Sequence, residues 1–184
     1  MKQRQESTVL FLCTGNYYRS RYAEIRFNFV AGRMNLPWRA SSRGLALERG
    51  INNVGPMAVS AIKALEARGV CGGDGCVRPP AQVTVEDLGA ADRVVALKRD
   101  EHLPLLQERF PAWAEKVEFW HVDDAPDVLG LIEKEVLGLV ARLRPLPFCC
   151  RCLSPLPNPR PLARVHLPAP PCAQMPAPQP LPDQ

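Results

Sequence analysis

One short segment near the start of the chain combines a nucleophile, a cation and two residues that suit a tight loop. It reads Cys13-Thr14-Gly15-Asn16-Tyr17-Tyr18-Arg19-Ser20. A cysteine thiolate is a strong nucleophile, and an arginine guanidinium is a planar fork of donors that fits two phosphoryl oxygens at once. The segment therefore contains the residue types that can bind a phosphate ester and attack it.

The spacing of the segment also suits an anion-binding loop. A short loop that curls into the N-terminus of a helix directs consecutive backbone N–H groups into one concavity. Gly15 permits a positive φ, and Asn16 is the next most tolerant residue. Cys13 would lie at the bottom, where Arg19 and the helix N-terminus favour the thiolate and Ser20 can donate to the sulfur. The alternative for Cys13 alone is a buried structural thiol.

The elements around this segment predict strands that alternate with helices. Residues 8–12 form a continuous apolar run typical of a buried parallel strand, and further strands are predicted over 38–42, 93–97 and 117–120. Apolar spacing and cap residues predict helices from Arg19, over 58–65, from Thr84 with Asp87 reaching back to it, and over 129–143. Such alternation predicts a three-layer α/β/α fold with a parallel sheet. The chemistry should then collect beyond the carboxyl ends of the strands.

Composition excludes several classes of protein. The chain has 184 residues and a formal charge of +4, which is a small excess for a dedicated nucleic-acid binder. No apolar run approaches the ~20 residues of a membrane span. The first residues show no secretory cleavage pattern, so the seven cysteines are expected to be reduced thiols in the cytoplasm.

Proline marks the predicted domain boundary. Of the 20 prolines, 13 lie in residues 145–184 and only 7 in residues 1–144. A segment of this composition cannot gather a packed core, so the tail is expected to be disordered. It is either an inert extension or a polyproline ligand for an aromatic groove of the SH3 or WW kind. Residues 1–144 are predicted to form the one folded domain.

The segment VLFLCTGNYYRSRYAE, residues 9–24, resembles the signature of the low-molecular-weight protein tyrosine phosphatases. Further similarities to that family lie at Ser42 with Gly44, and over 65–70, 86–96 and 120–126. The resemblance implies a four-stranded parallel sheet of order 2-1-3-4 and a phosphocysteine mechanism that needs no metal and no cofactor. The implied substrate is a phosphotyrosine protein or a small aryl phosphate.

The resemblance also implies roles for individual residues. Cys13 would be the nucleophile and Arg19 would hold the equatorial phosphoryl oxygens. The remaining loop residues would bind phosphate or hold the loop in shape, together with a serine after the second strand; these are Thr14, Gly15, Asn16, Tyr17, Tyr18, Ser20 and Ser42.

The proton donor is harder to assign, because the Asp-Pro pair that the family carries after the fourth strand is missing. The corresponding segment is Trp120-His121-Val122-Asp123-Asp124-Ala125-Pro126-Asp127. Alignment on Trp120 favours Asp124 as the acid over Asp123. The alternatives are that the acidic cluster only caps the helix that follows, or that His121 acts as a base.

The chain departs from the family at the mouth of the expected pocket. Aromatic residues that would sandwich a tyrosine ring are replaced by Asp127 and Val128 after the acid loop, and by residues 45–47 after the second strand. Tyr17 and Tyr18 either supply a replacement ring or only pack on the loop. Preference for phosphotyrosine over other phosphomonoesters therefore stays open.

Two other functions fit parts of the sequence. Arsenate reductases share the fold and loop, but they use two further cysteines after the third strand, where this chain has LKRDEH over 97–102. Cys71 and Cys76 come earlier and are either a redox pair, a partial metal site or two ordinary loop thiols. A non-catalytic oxyanion-binding or partner-binding relative is the third possibility, favoured by the missing Asp-Pro pair.

Overall fold

The computed structural model describes residues 6–70, 78–122 and 127–144. The strands are β1 Ser7–Cys13, β2 Trp38–Gly44, β3 Arg93–Ala96 and β4 Glu118–Phe119. The α-helices of these residues are α1 Arg19–Arg33, α2 Val59–Glu66, α3 Val85–Ala90, α4 Arg99–Arg109 and α5 Val128–Leu143. Two short 3₁₀ helices, Leu47–Gly50 and Pro111–Trp113, lie between them.

The four strands form one parallel sheet in the order β2-β1-β3-β4, as the resemblance implied. β1 pairs with β2 on one side and with β3 on the other, so that Cys13 lies opposite Gly44 and Leu12 lies opposite Ala96. The carboxyl ends of these strands meet at one edge of the sheet. The loop that follows Cys13 therefore begins at this edge, where parallel sheets collect their functional residues.

β1 is buried on both faces, which is why its sequence is a continuous apolar run. Val9 and Phe11 pack into the apolar cluster that α1, α2 and α5 share. Leu10 and Leu12 point to the opposite face and pack with residues of α3 and α4. The two clusters confirm the three-layer α/β/α arrangement, since side chains alternate between the faces of a strand.

Local signals located most of the helices well. Thr84 caps α3 with its side chain, and Asp87 reaches back to the backbone N–H of Thr84, which confirms the predicted capping box. The strand predicted over 117–120 is shorter and comprises only Glu118–Phe119 at the edge of the sheet.

No helix was predicted from the sequence over α4, and the structure shows why that helix is hard to recognise. Its apolar residues have little helical periodicity, and Pro104 lies inside it, where proline removes a hydrogen-bond donor. Leu105 and Leu106 are buried against the sheet. Tertiary packing of these two side chains stabilises a helix that local propensity disfavours.

The tail predicted over 145–184 lies outside the described residues, and both interpretations of it stay predictions. Within the part of the chain that the structure describes, no helix has the length and apolar character needed to cross a membrane.

Two leucines of α5 provide a matched test of the packing. Leu139 is fully buried between α5 and the sheet, whereas Leu137 is 44% exposed on the same helix. We expect Leu139→Ala to lower the free energy of unfolding by about 2–5 kcal/mol, because it leaves a cavity in the core. Leu137→Ala should change it by less than about 0.5 kcal/mol. Equal losses for both variants in denaturant unfolding would contradict this placement of α5.

Candidate active site

The segment that carries the predicted chemistry joins β1 to α1. Cys13 is the last residue of β1 and is 4% exposed, and α1 begins at Arg19 as the sequence predicted. The backbone N–H of Leu45 donates to Cys13 O at 2.8 Å, and that of Ala46 donates to Thr14 O at 2.9 Å. These two bonds fix the start of the loop to the chain that leaves β2.

The close approach of the loop to β2 requires a glycine. A Cβ on Gly44 would lie 2.9 Å from Thr14 O, closer than real Cβ atoms approach, and 3.2 Å from Asn16 N, which is also a tight contact. The turn in the loop is made by Asn16, whose φ is 49°, whereas Gly15 does not have a positive φ. Gly15 was the first residue expected in this conformation and Asn16 the second, and it is Asn16 that adopts it, with a side chain that also anchors the turn.

The side chain of Asn16 connects the predicted loop residues to one another. Its Nδ2 donates to Ser20 Oγ at 3.1 Å and to Ser42 Oγ at 2.8 Å, and all three residues are fully buried. Ser20 Oγ lies 2.9 Å from Cys13 Sγ. Ser20 accepts from Asn16 and keeps its own proton free to donate, so a thiolate at Cys13 would accept a hydrogen bond from this hydroxyl.

Two charged residues that the sequence analysis did not identify complete this network. Ala81 N donates to Asn16 Oδ1 at 3.0 Å, which fixes the orientation of the amide because a backbone N–H can only donate. Arg78 donates to the same oxygen at 3.3 Å and to Glu24 Oε2 at 2.9 Å. Ser42 Oγ donates to Glu24 at 2.6 Å.

Glu24 lies within the signature segment, one helical turn after Ser20, which was the available signal for its role. No local sequence signal indicated a role for Arg78, because only the tertiary fold brings this residue into contact with Asn16 and Glu24.

A second group of contacts surrounds Arg19. Its NH2 donates to Glu101 Oε2 at 2.7 Å, and Thr14 Oγ1 donates to Glu101 Oε1. Burial raises the pKa of the Glu101 carboxyl, but the hydrogen bonds from Thr14 and Arg19 outweigh this effect and leave that pKa below its usual value. The NH1 of Arg19 is buried and has no hydrogen-bond partner among the described residues. This nitrogen is a charged donor that a bound oxyanion can satisfy.

These residues surround an open cavity of about 320 Å³. Its lining consists of Cys13, Thr14, Gly15, Tyr17, Tyr18, Arg19, Arg49, Gly50, Asn53 and Glu101. Both tyrosines line the cavity and also pack against the core, and the hydroxyl of Tyr17 donates to Val54 O at 2.7 Å. Leu45 and Ala46 are buried, so they do not replace the aromatic residue expected after the second strand. A larger cavity of about 830 Å³ beside α4 and β4 contains no cysteine in its lining.

The other candidate residues of the sequence fall partly outside and partly inside the described ranges. Asp123 and Asp124, the two candidates for the acid, lie outside the described residues, as do Cys71 and Cys76. His121 is exposed. Asp127 accepts from Gly130 N at 3.1 Å and caps α5, which is the capping role considered for the acidic cluster.

The site combines a buried thiol, a loop that leads into the N-terminus of a helix, and an arginine whose NH1 has no hydrogen-bond partner among the described residues. This is the arrangement of a cysteine-based phosphatase. The family model described as "Low molecular weight phosphotyrosine protein phosphatase" matches residues 8–143. The chain therefore belongs to this family, whose members are cysteine-based hydrolases that need no metal and act on phosphotyrosine. No curated protein matches the chain by sequence.

Solved structures agree with this assignment. The low molecular weight protein tyrosine phosphatase of T. tengcongensis is 27% identical, with a TM-score of 0.58 over 74% of this chain and 97% of that protein. The phosphotyrosine phosphatase of Vibrio cholerae O395 is 25% identical, with a TM-score of 0.61 over 74% and 95%. Wzb of Vibrio vulnificus, at 17% identity, shares the fold with a TM-score of 0.62 over 74% and 98%.

The hydrogen bond between Ser20 and Cys13 predicts a measurable change in thiol reactivity. Ser20→Ala should slow the alkylation of Cys13 by iodoacetamide about tenfold, which corresponds to one hydrogen bond to a charged atom. Because the chain has seven cysteines, modification should be followed by mass spectrometry of the peptide that contains Cys13. Ser60→Ala, an exposed position on α2, is the control and should react at the wild-type rate. Unchanged alkylation in Ser20→Ala would refute a role of this hydroxyl in stabilising the thiolate.

Proposed function

We propose that this chain hydrolyses phosphotyrosine and other aryl phosphates through a phosphocysteine formed on Cys13. In the first step the thiolate attacks phosphorus, the S–P bond forms, and the P–O bond to the phenol breaks. In the second step water attacks the phosphocysteine, which releases inorganic phosphate and restores the thiolate.

The observation that carries this proposal is the environment of one sulfur atom. Cys13 lies at the edge of the sheet, its Sγ is 2.9 Å from Ser20 Oγ, and it lines the same cavity as Arg19. A thiol held in this way is preorganised as a nucleophile, whereas a structural thiol requires none of these contacts. The buried, unpartnered NH1 of Arg19, described above, supports a role in binding the equatorial oxygens.

The acid in this proposal is Asp124, with Asp123 as the alternative. A phenolate leaves more readily when a carboxylic acid protonates its oxygen, and the resulting carboxylate can then activate the water of the second step. Asp124 is assigned by its position relative to Trp120 in the sequence.

We assign the aryl preference to the two tyrosines of the loop. Tyr17 and Tyr18 line the cavity beside Cys13, where they can contact the ring of a phosphotyrosine substrate. We also place the reaction in the cytoplasm, because this chemistry needs a reduced thiol.

Arsenate reduction is not favoured, because the family that the chain belongs to is one of phosphotyrosine phosphatases. Residues 97–102 also contain no cysteine that could relay oxidation from Cys13.

Replacement of the nucleophile tests the proposal directly. Cys13→Ser should reduce phosphate release from p-nitrophenyl phosphate by at least about a thousandfold, in the presence of a metal chelator, because the phosphoenzyme cannot form. Cys172→Ser, in the predicted tail, is the matched control and should retain wild-type activity. Residual turnover near the wild-type rate in Cys13→Ser would overturn the mechanism.

The acid is tested by varying the leaving group. Asp124→Ala should reduce kcat by about a hundredfold or more for phosphotyrosine and for phenols of high pKa, and by much less for leaving groups that depart without a proton. Asp123→Ala is the matched variant and should have a small effect on all substrates. The reverse order of the two variants would assign the acid to Asp123.

A further inference from the structure

The carboxylate of Glu101 binds two residues of the loop, Arg19 and Thr14, that face the phosphoryl group in the proposed function. Arg19 donates to one of its oxygens and Thr14 donates to the other. The ion pair is only partly exposed, with 15% of the Arg19 side chain and 28% of the Glu101 side chain open to solvent. In this structure, therefore, a carboxylate of the protein takes a donor of Arg19 that a substrate would also use.

The next residue of α4 offers Glu101 a second partner. His102 is fully buried, and its Nε2 has no hydrogen-bond partner within the described ranges. This nitrogen lies 3.8 Å from Glu101 Oε1, too far for a hydrogen bond but close enough to form one after a shift of about 1 Å.

The hydrogen bonding of the imidazole defines which nitrogen carries the proton. Lys98 N donates to His102 Nδ1 at 3.0 Å, so Nδ1 is an acceptor and the proton is on Nε2. Burial lowers the pKa of His102 to about 4, although the nearby negative charge of Glu101 acts in the opposite direction. The ring is therefore a neutral donor at neutral pH, held in place by the N-terminus of α4 and directed towards Glu101.

We propose that Glu101 and His102 are a positioning pair for phosphate recognition. Glu101 holds Arg19 and Thr14 until a phosphoryl group binds Arg19, and its carboxylate then moves to the Nε2–H of His102. This inference rests on the proposed role of Arg19 in binding phosphate. Neither residue contacts the reacting atoms, so both act through Arg19.

Charge explains why the carboxylate should move. A bound phosphate ester brings negative charge next to the Cys13 thiolate, and Glu101 adds a further anion beside the same guanidinium. Like charges so close together repel strongly in a partly buried site. A shift of Glu101 towards His102 relieves this repulsion and satisfies a buried N–H that otherwise lacks a partner.

Two substitutions of His102 distinguish the contributions of its two ring nitrogens. His102→Asn keeps an acceptor near Nδ1 for Lys98 N but removes the donor at Nε2. His102→Gln keeps a donor near Nε2. We expect His102→Asn to weaken the binding of orthovanadate about fivefold, the size of one lost hydrogen bond, and His102→Gln to remain within about twofold of wild type. KM for p-nitrophenyl phosphate should rise in the Asn variant while kcat changes little.

A double-mutant cycle tests whether His102 acts through Glu101. In a Glu101→Ala background, His102→Asn should have no further effect on orthovanadate binding measured by calorimetry, because the carboxylate that would accept the hydrogen bond of His102 is absent. A fivefold effect that persists in this background would show that His102 acts on packing alone and would overturn the proposal.

A measurement on the wild-type protein covers the case in which the variants do not fold. The Nε2–H proton of His102 should move downfield in the NMR spectrum when orthovanadate saturates the site, because it gains a charged acceptor. An unchanged resonance in the saturated protein would overturn the positioning pair and leave the mechanism at Cys13 intact. Failure of the wild-type protein to bind orthovanadate would overturn both.

Discussion

The hydrogen bond between Ser20 and Cys13 is the contact on which the rest of the site depends, and one buried amide holds the Ser20 hydroxyl in place. Asn16 donates to Ser20 and to Ser42, and its oxygen is fixed by Ala81 N, so the Ser20 hydroxyl keeps its own proton available for the sulfur 2.9 Å away. A thiolate in this position gains a charge-assisted hydrogen bond without any reorganisation of the loop. In the proposed mechanism this contact would prepare the nucleophile before a substrate arrives.

Charge is balanced on both sides of this loop by arginine–carboxylate pairs. Arg78 pairs with Glu24 next to Asn16, and Arg19 pairs with Glu101 beside the cavity. The first pair supports the amide that orients Ser20, whereas the second involves the cation that would bind substrate. A buried or half-buried carboxylate needs such partners, since an isolated charge would be too costly to remove from water. The two pairs thus have different roles although their chemistry is the same.

The fold brings these residues together through the geometry of the parallel sheet. β1 lies next to both β2 and β3, so the chain segments that follow all three strands meet at one edge. Ser42 comes from β2, Glu101 from α4 after β3, and Arg19 from α1 after β1. Contacts between residues more than 80 positions apart, such as Arg19 and Glu101, arise from this topology and not from local sequence.

The sequence by itself determined most of the elements and the loop, because their signals are local. The apolar run of β1 predicted a buried strand, the capping box at Thr84 predicted the start of a helix, and the spacing from Cys13 to Arg19 indicated an oxyanion loop. A resemblance to a family, and not periodicity, provided the order of the sheet.

The tertiary structure alone decided the parts that depend on distant residues: α4, which packing stabilises despite Pro104, the contact of Arg78 with Asn16, and the position of Glu101 between Arg19 and His102. Local pattern cannot reveal these, since each depends on a contact between elements whose separation along the chain says nothing about their distance in space.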